Sequence, residues 1–199
     1  MTIRNLFVVV TESVLDLTST PPAQFEMLIL EGAQAGLSWR TILGKRDAYR
    51  KAFHDWDLER VAKMSSSECT TLLEANDADK SKIIVRNKLK VHAAVDTAKA
   101  LLDITKEHGS LDEYFWSYMP SKQPLINYFP NLQAFPAQTD LSKRISDDLQ
   151  KRGCRFVGPK IIYAFMQSCG MVNDHQTNCF LHPDNQKKES HQKRQKTEK

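Results

Sequence analysis

Long apolar runs are missing from these 199 residues. No stretch approaches the roughly 20 apolar residues that a membrane-spanning helix needs. The LFVVV run from Leu6 falls short of the ~7–15-residue core of a secretory signal. Four cysteines, at 69, 154, 169 and 179, form no C-x-x-C pair. That spacing argues against a secreted disulfide framework and for reduced thiols in an intracellular compartment. Glycine is sparse at seven residues, and sustained period-two alternation is absent, so a β-rich architecture is not expected. Net charge is also scarce. The formal total is +4, but Asp184–Lys199 alone contributes +3, leaving the first 183 residues at +1. A polyanionic partner therefore has to be sought in local clusters, not in the overall balance.

What is present is helical punctuation. Pro21 and Pro22 suit a helix start, and Gly36 is placed to stop the apolar run FEMLILEGAQAG. RDAYRKAFHDW, LERVAKM and SSECTTLLEA read as short amphipathic helices with Ser and Asp caps. The stretch from Asn87 to Gly109 repeats Leu89, Ala93, Ala100 and Leu101 at a helical period. SLDEYFWSYM follows, capped by Ser110. Residues 120–138, with four prolines, read as a loop. Then Thr139 or Asp140 caps a helix with Leu141, Ile145 and Leu149 on one face. GPKIIYAFMQSCG reads as the most buried helix. The fold class is all-α, with an N-terminal segment 1–20, a helical domain 21–183 and a charged tail 184–199 expected to be disordered.

Three constellations carry potential chemistry. Glu31 ends the run Met27-Leu28-Ile29-Leu30, so its carboxylate is either paired, with Arg40 for instance, or aimed into a cavity. Trp39 lies eight residues on; a carboxylate and an indole at one pocket suit a flat cationic ligand, though Trp39 equally suits a core position. Lys80–Lys90 holds five basic residues and no acid across an inter-helical turn. Lys151, Arg152, Arg155 and Lys160 surround a second turn. Such turns either hold phosphates or are solvated helix faces. His175-x3-Cys179, followed by His182, has ligand-like spacing but falls short of the four ligands of a structural zinc.

Taken together, LEGAQAGLSWRTIL, KRDAYRKAF, IVRNKLKV, FWSY, KRGCRFVG, YAFMQSCGMVNDH and CFLHP, in this order, resemble the DNA-3-methyladenine glycosylase I family of helix-hairpin-helix DNA glycosylases. The resemblance runs from about Phe25 to Pro183. It implies a monofunctional base-excision repair hydrolase that flips 3-methyladenine out of double-stranded DNA and cuts its glycosidic bond. By the same resemblance Glu31 is the catalytic and base-recognising carboxylate and Trp39 an aromatic wall. Leu37 is an apolar wedge, and Arg86, Asn87, Lys88 and Lys90 are DNA-backbone contacts. The chemistry needs no cofactor. A monomer is expected, without membrane association, cytoplasmic and at the nucleoid if bacterial or nuclear if eukaryotic.

The first twenty residues depart from the family pattern. They contain no Cys, His, Trp or Tyr. The family's zinc takes one Cys and one His from this segment, so His175 and Cys179 form an incomplete zinc site. A pocket Tyr and Trp are lost as well, and a base stacked on one face only forgoes roughly 1–3 kcal/mol. The segment reads either as divergent or as missing upstream codons. The alternative function is a non-catalytic DNA- or lesion-binding module that keeps the hairpin but not the pocket.

Overall fold

Two prolines with a fixed helical φ open the first helix, α1 (Pro21–Gln34), and Thr20 precedes them as N-cap. The computed structural model describes residues 20–186. The departing N-terminal segment up to residue 19 and the tail from residue 187 lie outside them. Eight further α-helices lie wholly within the described residues: α2 (Trp39–Leu43), α3 (Arg46–Ala52), α4 (Leu58–Ala62), α5 (Ser66–Glu74), α6 (Lys88–His108), α7 (Leu111–Ser117), α8 (Asp140–Lys151) and α9 (Pro159–Ser168). The caps are those the side chains dictate. Ser65, Asn87, Ser110 and Thr139 each accept from the backbone N–H three residues on, an exchange worth about 1 kcal/mol apiece.

The packing is helix on helix. Helix α1 runs through the middle, touching α2, α6, α7 and α9, while α4 and α5 lie along α6 and α8 along α9. Ten of the fourteen α1 residues are buried. This corrects the expectation for α9, whose buried set is Ile162, Tyr163, Phe165 and Met166. An apolar run is buried all round only where neighbours cover every side, and α1 has them. Helix α8 keeps Ile145 and Leu149 fully buried.

Other expectations change in detail. The helix expected over RDAYRKAFHDW ends at Ala52. His54, Asp55 and Trp56 then adopt left-handed φ of 51°, 55° and 67°. That turn delivers Trp56 into the core, edge-on to Phe25 at 5.9 Å between ring centroids. Leu89 is 59% exposed, because the first turn of α6 projects beyond the core. The proline-rich stretch carries two 3-10 turns and a two-residue strand, β1 (Leu125–Ile126), paired in parallel with β2 (Val172–Asn173). Asp184–Gln186 belongs to a helical turn that Asn185 anchors through the Thr177 and Cys179 carbonyls, at 2.9 and 2.8 Å. No helix among the described residues is long and apolar enough to cross a membrane.

Candidate active site

Burial of α1 carries two carboxylates inward, and they differ in company. Glu26 accepts from Arg46 Nε at 2.6 Å and lies 3.7 Å from Arg50 Nη2. Glu31 is only 3% exposed, and its hydrogen-bond partner is the Ser168 hydroxyl, 2.9 Å from Oε1. Arg40, the pairing candidate from the sequence, is exposed on α2. No ion pair to Glu31 forms among the described residues. Burial pushes the Glu31 carboxyl up to about 8, and the Ser168 hydrogen bond opposes this only in part.

Ser168 Oγ also lies 2.9 Å from the Ala164 carbonyl oxygen. A hydroxyl has one hydrogen, so the two contacts define two states. With Glu31 protonated, the carboxyl donates to Ser168, and Ser168 donates to Ala164. With Glu31 ionised, the hydroxyl turns to the carboxylate. The hydroxyl can therefore serve either charge state without moving the backbone.

The same region gathers groups from three helices. Gln24, two turns before Glu31 on α1, donates to Asp112 Oδ1 at 3.1 Å, and Trp116 Nε1 donates to the same oxygen at 3.0 Å. The Cys169 thiol, next to Ser168, is pushed up by burial first and then by the negative charge of Glu31 and Asp112. Neither Glu31 nor Asp112 forms an ion pair among the described residues, and carboxyl groups so placed favour a cation.

Trp39 and Leu37 lie where α1 gives way to α2. Gly36 adopts a φ of +79°, which reverses the chain, and the Leu37 N–H closes the turn on the Gln34 carbonyl at 2.7 Å. Gln34 Nε2 donates back to the Leu37 carbonyl at 2.7 Å. Ser38 caps α2, whose first residue is Trp39. Leu37 and Trp39 are half-buried and pack against the core edge. Trp39 shares no hydrogen bond with Glu31, whose bonded neighbour comes from α9.

The basic turn before α6 is held by Lys45, which donates to the Ile83 carbonyl at 2.8 Å and to the Lys80 carbonyl. Arg86 and Lys88 are exposed and have no ion pair or side-chain hydrogen bond among the described residues. Asn87 is the N-cap of α6, its Oδ1 accepting the Lys90 N–H at 3.2 Å. Lys90, grouped with the phosphate contacts in the sequence, is engaged elsewhere: its ammonium donates to the Ala33 and Ala35 carbonyls at 2.9 and 2.7 Å. The second basic turn is partly neutralised. Arg152 pairs with Glu107 and Asp148, and Arg155 pairs with Asp96 at 3.1 Å. Lys151 and Lys160 stay exposed.

His175 Nδ1 and Cys179 Sγ are 3.7 Å apart, close to the ~3.6 Å that two ligands of one tetrahedral zinc would show from usual bond lengths. Two donors do not make a structural site, which takes four. Among the described residues no group of three or more His, Cys, Asp or Glu side chains is placed to hold a metal. His182 is buried with its ring against Tyr128 instead. The described residues alone do not supply the four donors of a structural zinc.

Sequence reasoning alone misses Ser168, Asp112, Trp116, Gln24 and Lys45. Ser168 and Trp116 lie inside motifs already singled out, YAFMQSCGMVNDH and FWSY, but their neighbours are set by tertiary packing. Ser168 and Glu31 are 137 positions apart.

Fold and site together define a helical protein of the DNA glycosylase class. The chain belongs to the methyladenine glycosylase family, whose description matches residues 18–182. It is 41% identical over 155 residues to the DNA-3-methyladenine glycosylase of Haemophilus influenzae, covering 78% of this chain and 80% of that one. To DNA-3-methyladenine glycosylase 1 of Escherichia coli it is 40% identical over 161 residues, 81% and 82% of the two chains. Among solved structures, it resembles the 3-methyladenine DNA glycosylase I of Staphylococcus aureus, described for its 3-methyladenine recognition. The TM-score is 0.75 at 31% identity, over 82% of this chain and 83% of that chain.

Proposed function

We propose that this chain is a monofunctional DNA glycosylase that excises 3-methyladenine from alkylated double-stranded DNA by base flipping. The observation that carries the reading is Glu31: buried, hydrogen-bonded to a neutral hydroxyl and without a cationic partner among the described residues. The relatives at about two-fifths identity are named DNA-3-methyladenine glycosylases, which supports the reading.

Methylation at N3 gives adenine a full positive charge, while ordinary adenine is neutral. Before a base enters, Glu31 keeps its proton at pH 7, being pushed up to about 8. Ionising it there costs only about 1.4 kcal/mol per pH unit below that value. A cationic base repays this by ion pairing in a water-poor site; a neutral base does not. The desolvated carboxyl thus acts as a charge filter.

Hydrolysis then asks little of the protein. The bond from C1′ to the base nitrogen breaks with both electrons going to the base, which leaves neutral. Positive charge passes to the sugar as an oxocarbenium, which the nearby Glu31 carboxylate stabilises. Water adds to C1′ and releases a proton, leaving an abasic site and the free base. Neither a lysine nucleophile nor a metal is needed for these steps.

Flipping needs a filler and a grip. Leu37, at the tip of the turn after α1, enters the gap in the stack, and Trp39 supplies a stacking face. Arg86 and Lys88 take phosphate oxygens together with the free N–H groups at the start of α6, which Asn87 shapes. The protein acts as a monomer. Incubation of the full chain with methylated duplex DNA, followed by chromatography of the released bases, tests the proposal. Free 3-methyladenine with matching abasic sites is expected. DNA binding without base release would favour the binding-module alternative.

A further inference from the structure

The Lys80–Lys90 run looks uniform in the sequence, yet the Lys80 ammonium bonds to nearby Asn76 and Asp77, while the last residue reaches a distant helix. The last carbonyls of α1 lack the usual partner one turn on; the Ala35 and Leu37 N–H groups take those of Gly32 and Gln34, and the last turn carries no basic residue. Lys90, more than fifty positions away, supplies the missing cation, donating to the Ala33 carbonyl at 2.9 Å and the Ala35 carbonyl at 2.7 Å. Charge-assisted bonds at the negative end of a helix dipole are the stronger kind. Its ammonium also lies 6.0 Å from the Phe156 ring centroid, in the second basic turn. Ala35 precedes Gly36 and stands two residues before Leu37, while Arg86 and Lys88 flank Asn87 at the start of α6.

We propose that Lys90 is a positioning residue: it clamps the carbonyl end of α1 to the start of α6, so that the Leu37 turn is fixed relative to the phosphate-facing Arg86 and Lys88. It does not itself contact a phosphate. The inference rests on the function proposed above for the Leu37 turn. Its consequence is that the grip on the backbone and the insertion into the stack are registered by one side chain. Desolvation lowers the Lys90 ammonium from its ordinary value, the direction expected of a cation turned away from water.

The test combines salt-dependent binding of methylated duplex DNA with single-turnover base release at saturating protein, for the wild type, Lys90→Met, Lys90→Arg and Arg86→Gln. Taking one cation away from a phosphate should reduce the salt slope by about 0.9. Arg86→Gln is expected to show that reduction. Lys90→Met is expected to keep the wild-type slope and bind within about twofold, while its release rate at saturation falls about tenfold or more; Lys90→Arg, which retains the donors, should recover most of the rate. A Lys90→Met slope reduced like that of Arg86→Gln, or an unchanged rate at saturation, overturns the proposal. If Lys90→Met does not fold, lysine methylation of the wild type decides. Lys90 should react more slowly than Lys88 in the free protein and gain no protection from DNA, whereas fast reaction with DNA protection overturns the inference. The slopes and the methylation pattern are readable whether or not the wild type releases base. A wild type without release therefore defeats the functional reading and leaves the lysine assignment testable.

Discussion

Glu26 and Glu31 are both buried on one helix, and only Glu26 is ion-paired among the described residues. Five positions apart on α1, they turn to different neighbours: Glu26 toward Arg46 and Arg50 of α3, Glu31 toward Ser168 of α9. The first carboxylate is compensated and structural. The second is desolvated and has no ion pair among the described residues. Depth of burial does not separate them; their partners do.

That difference gives opposite responses to removal. Glu26→Ala leaves Arg46 without its carboxylate at a site only partly open to water. A loss of about 2–3 kcal/mol is expected in urea unfolding, somewhat below the ~3–5 kcal/mol typical of a fully buried pair. Glu31→Gln keeps the shape and removes a group that resists ionisation, so it should fold at least as well as the wild type at neutral pH.

Stability should also depend on pH through Glu31. Its folded value, about 8, lies above the ordinary 4.5, so between those values the unfolded state has lost a proton that the folded state keeps. Stability from this group is full below pH 4.5 and falls as pH rises toward 8, by about 1.4 kcal/mol per unit at most. Thermal unfolding of Glu31→Gln against wild type should show no difference near pH ~4 and a growing advantage for the variant up to about pH 8. A constant difference across that range would contradict the desolvated carboxyl.

A third prediction concerns the close approach of α1 to the second basic turn. A Cβ at Gly32 would stand 3.0 Å from the Phe156 carbonyl oxygen and 3.2 Å from Phe156 Cβ. Phe156 already holds a left-handed φ of 55°, so it has little freedom to yield. Gly32→Ala should cost about 1–3 kcal/mol and, by shifting α1 beside Glu31, slow base release. An unchanged melting temperature would mean that the turn moves freely.

Metal content offers a fourth check. With two donors at ligand spacing among the described residues and no Cys or His in the first twenty, the purified full chain should hold well under one zinc per molecule. Elemental analysis measures this, and a chelator should leave the melting temperature unchanged.

Much of the fold was legible in residues. Asn87, Ser110 and Thr139 announce helix starts because each side chain satisfies a backbone N–H locally. Glu31 stands out because a carboxylate cannot sit in Met27–Leu30 without a reason. What stayed hidden depends on distant choices: that Arg46 and Arg50 reach Glu26 and not Glu31, that Ser168 returns from the far end of the chain, and that Lys90 turns inward while Lys88 turns out. The left-handed turn at His54–Trp56 was equally invisible, since the amphipathic pattern of RDAYRKAFHDW continues past the point where the backbone breaks. Spacing reports local periodicity, and these features come from packing between helices.

On the proposed function, Glu31, buried and without an ion pair among the described residues, selects and releases a cationic base. The most direct measurement is single-turnover release of 3-methyladenine from one methylated duplex by the wild type and by Glu31→Gln, with folding of both confirmed. Release by the wild type is expected, with a single-turnover rate below saturation that rises with pH toward about 8 as the free carboxyl ionises, and a fall of about a hundredfold or more in Glu31→Gln. Equal release by both proteins, or a pH profile unaffected by the substitution, would contradict it.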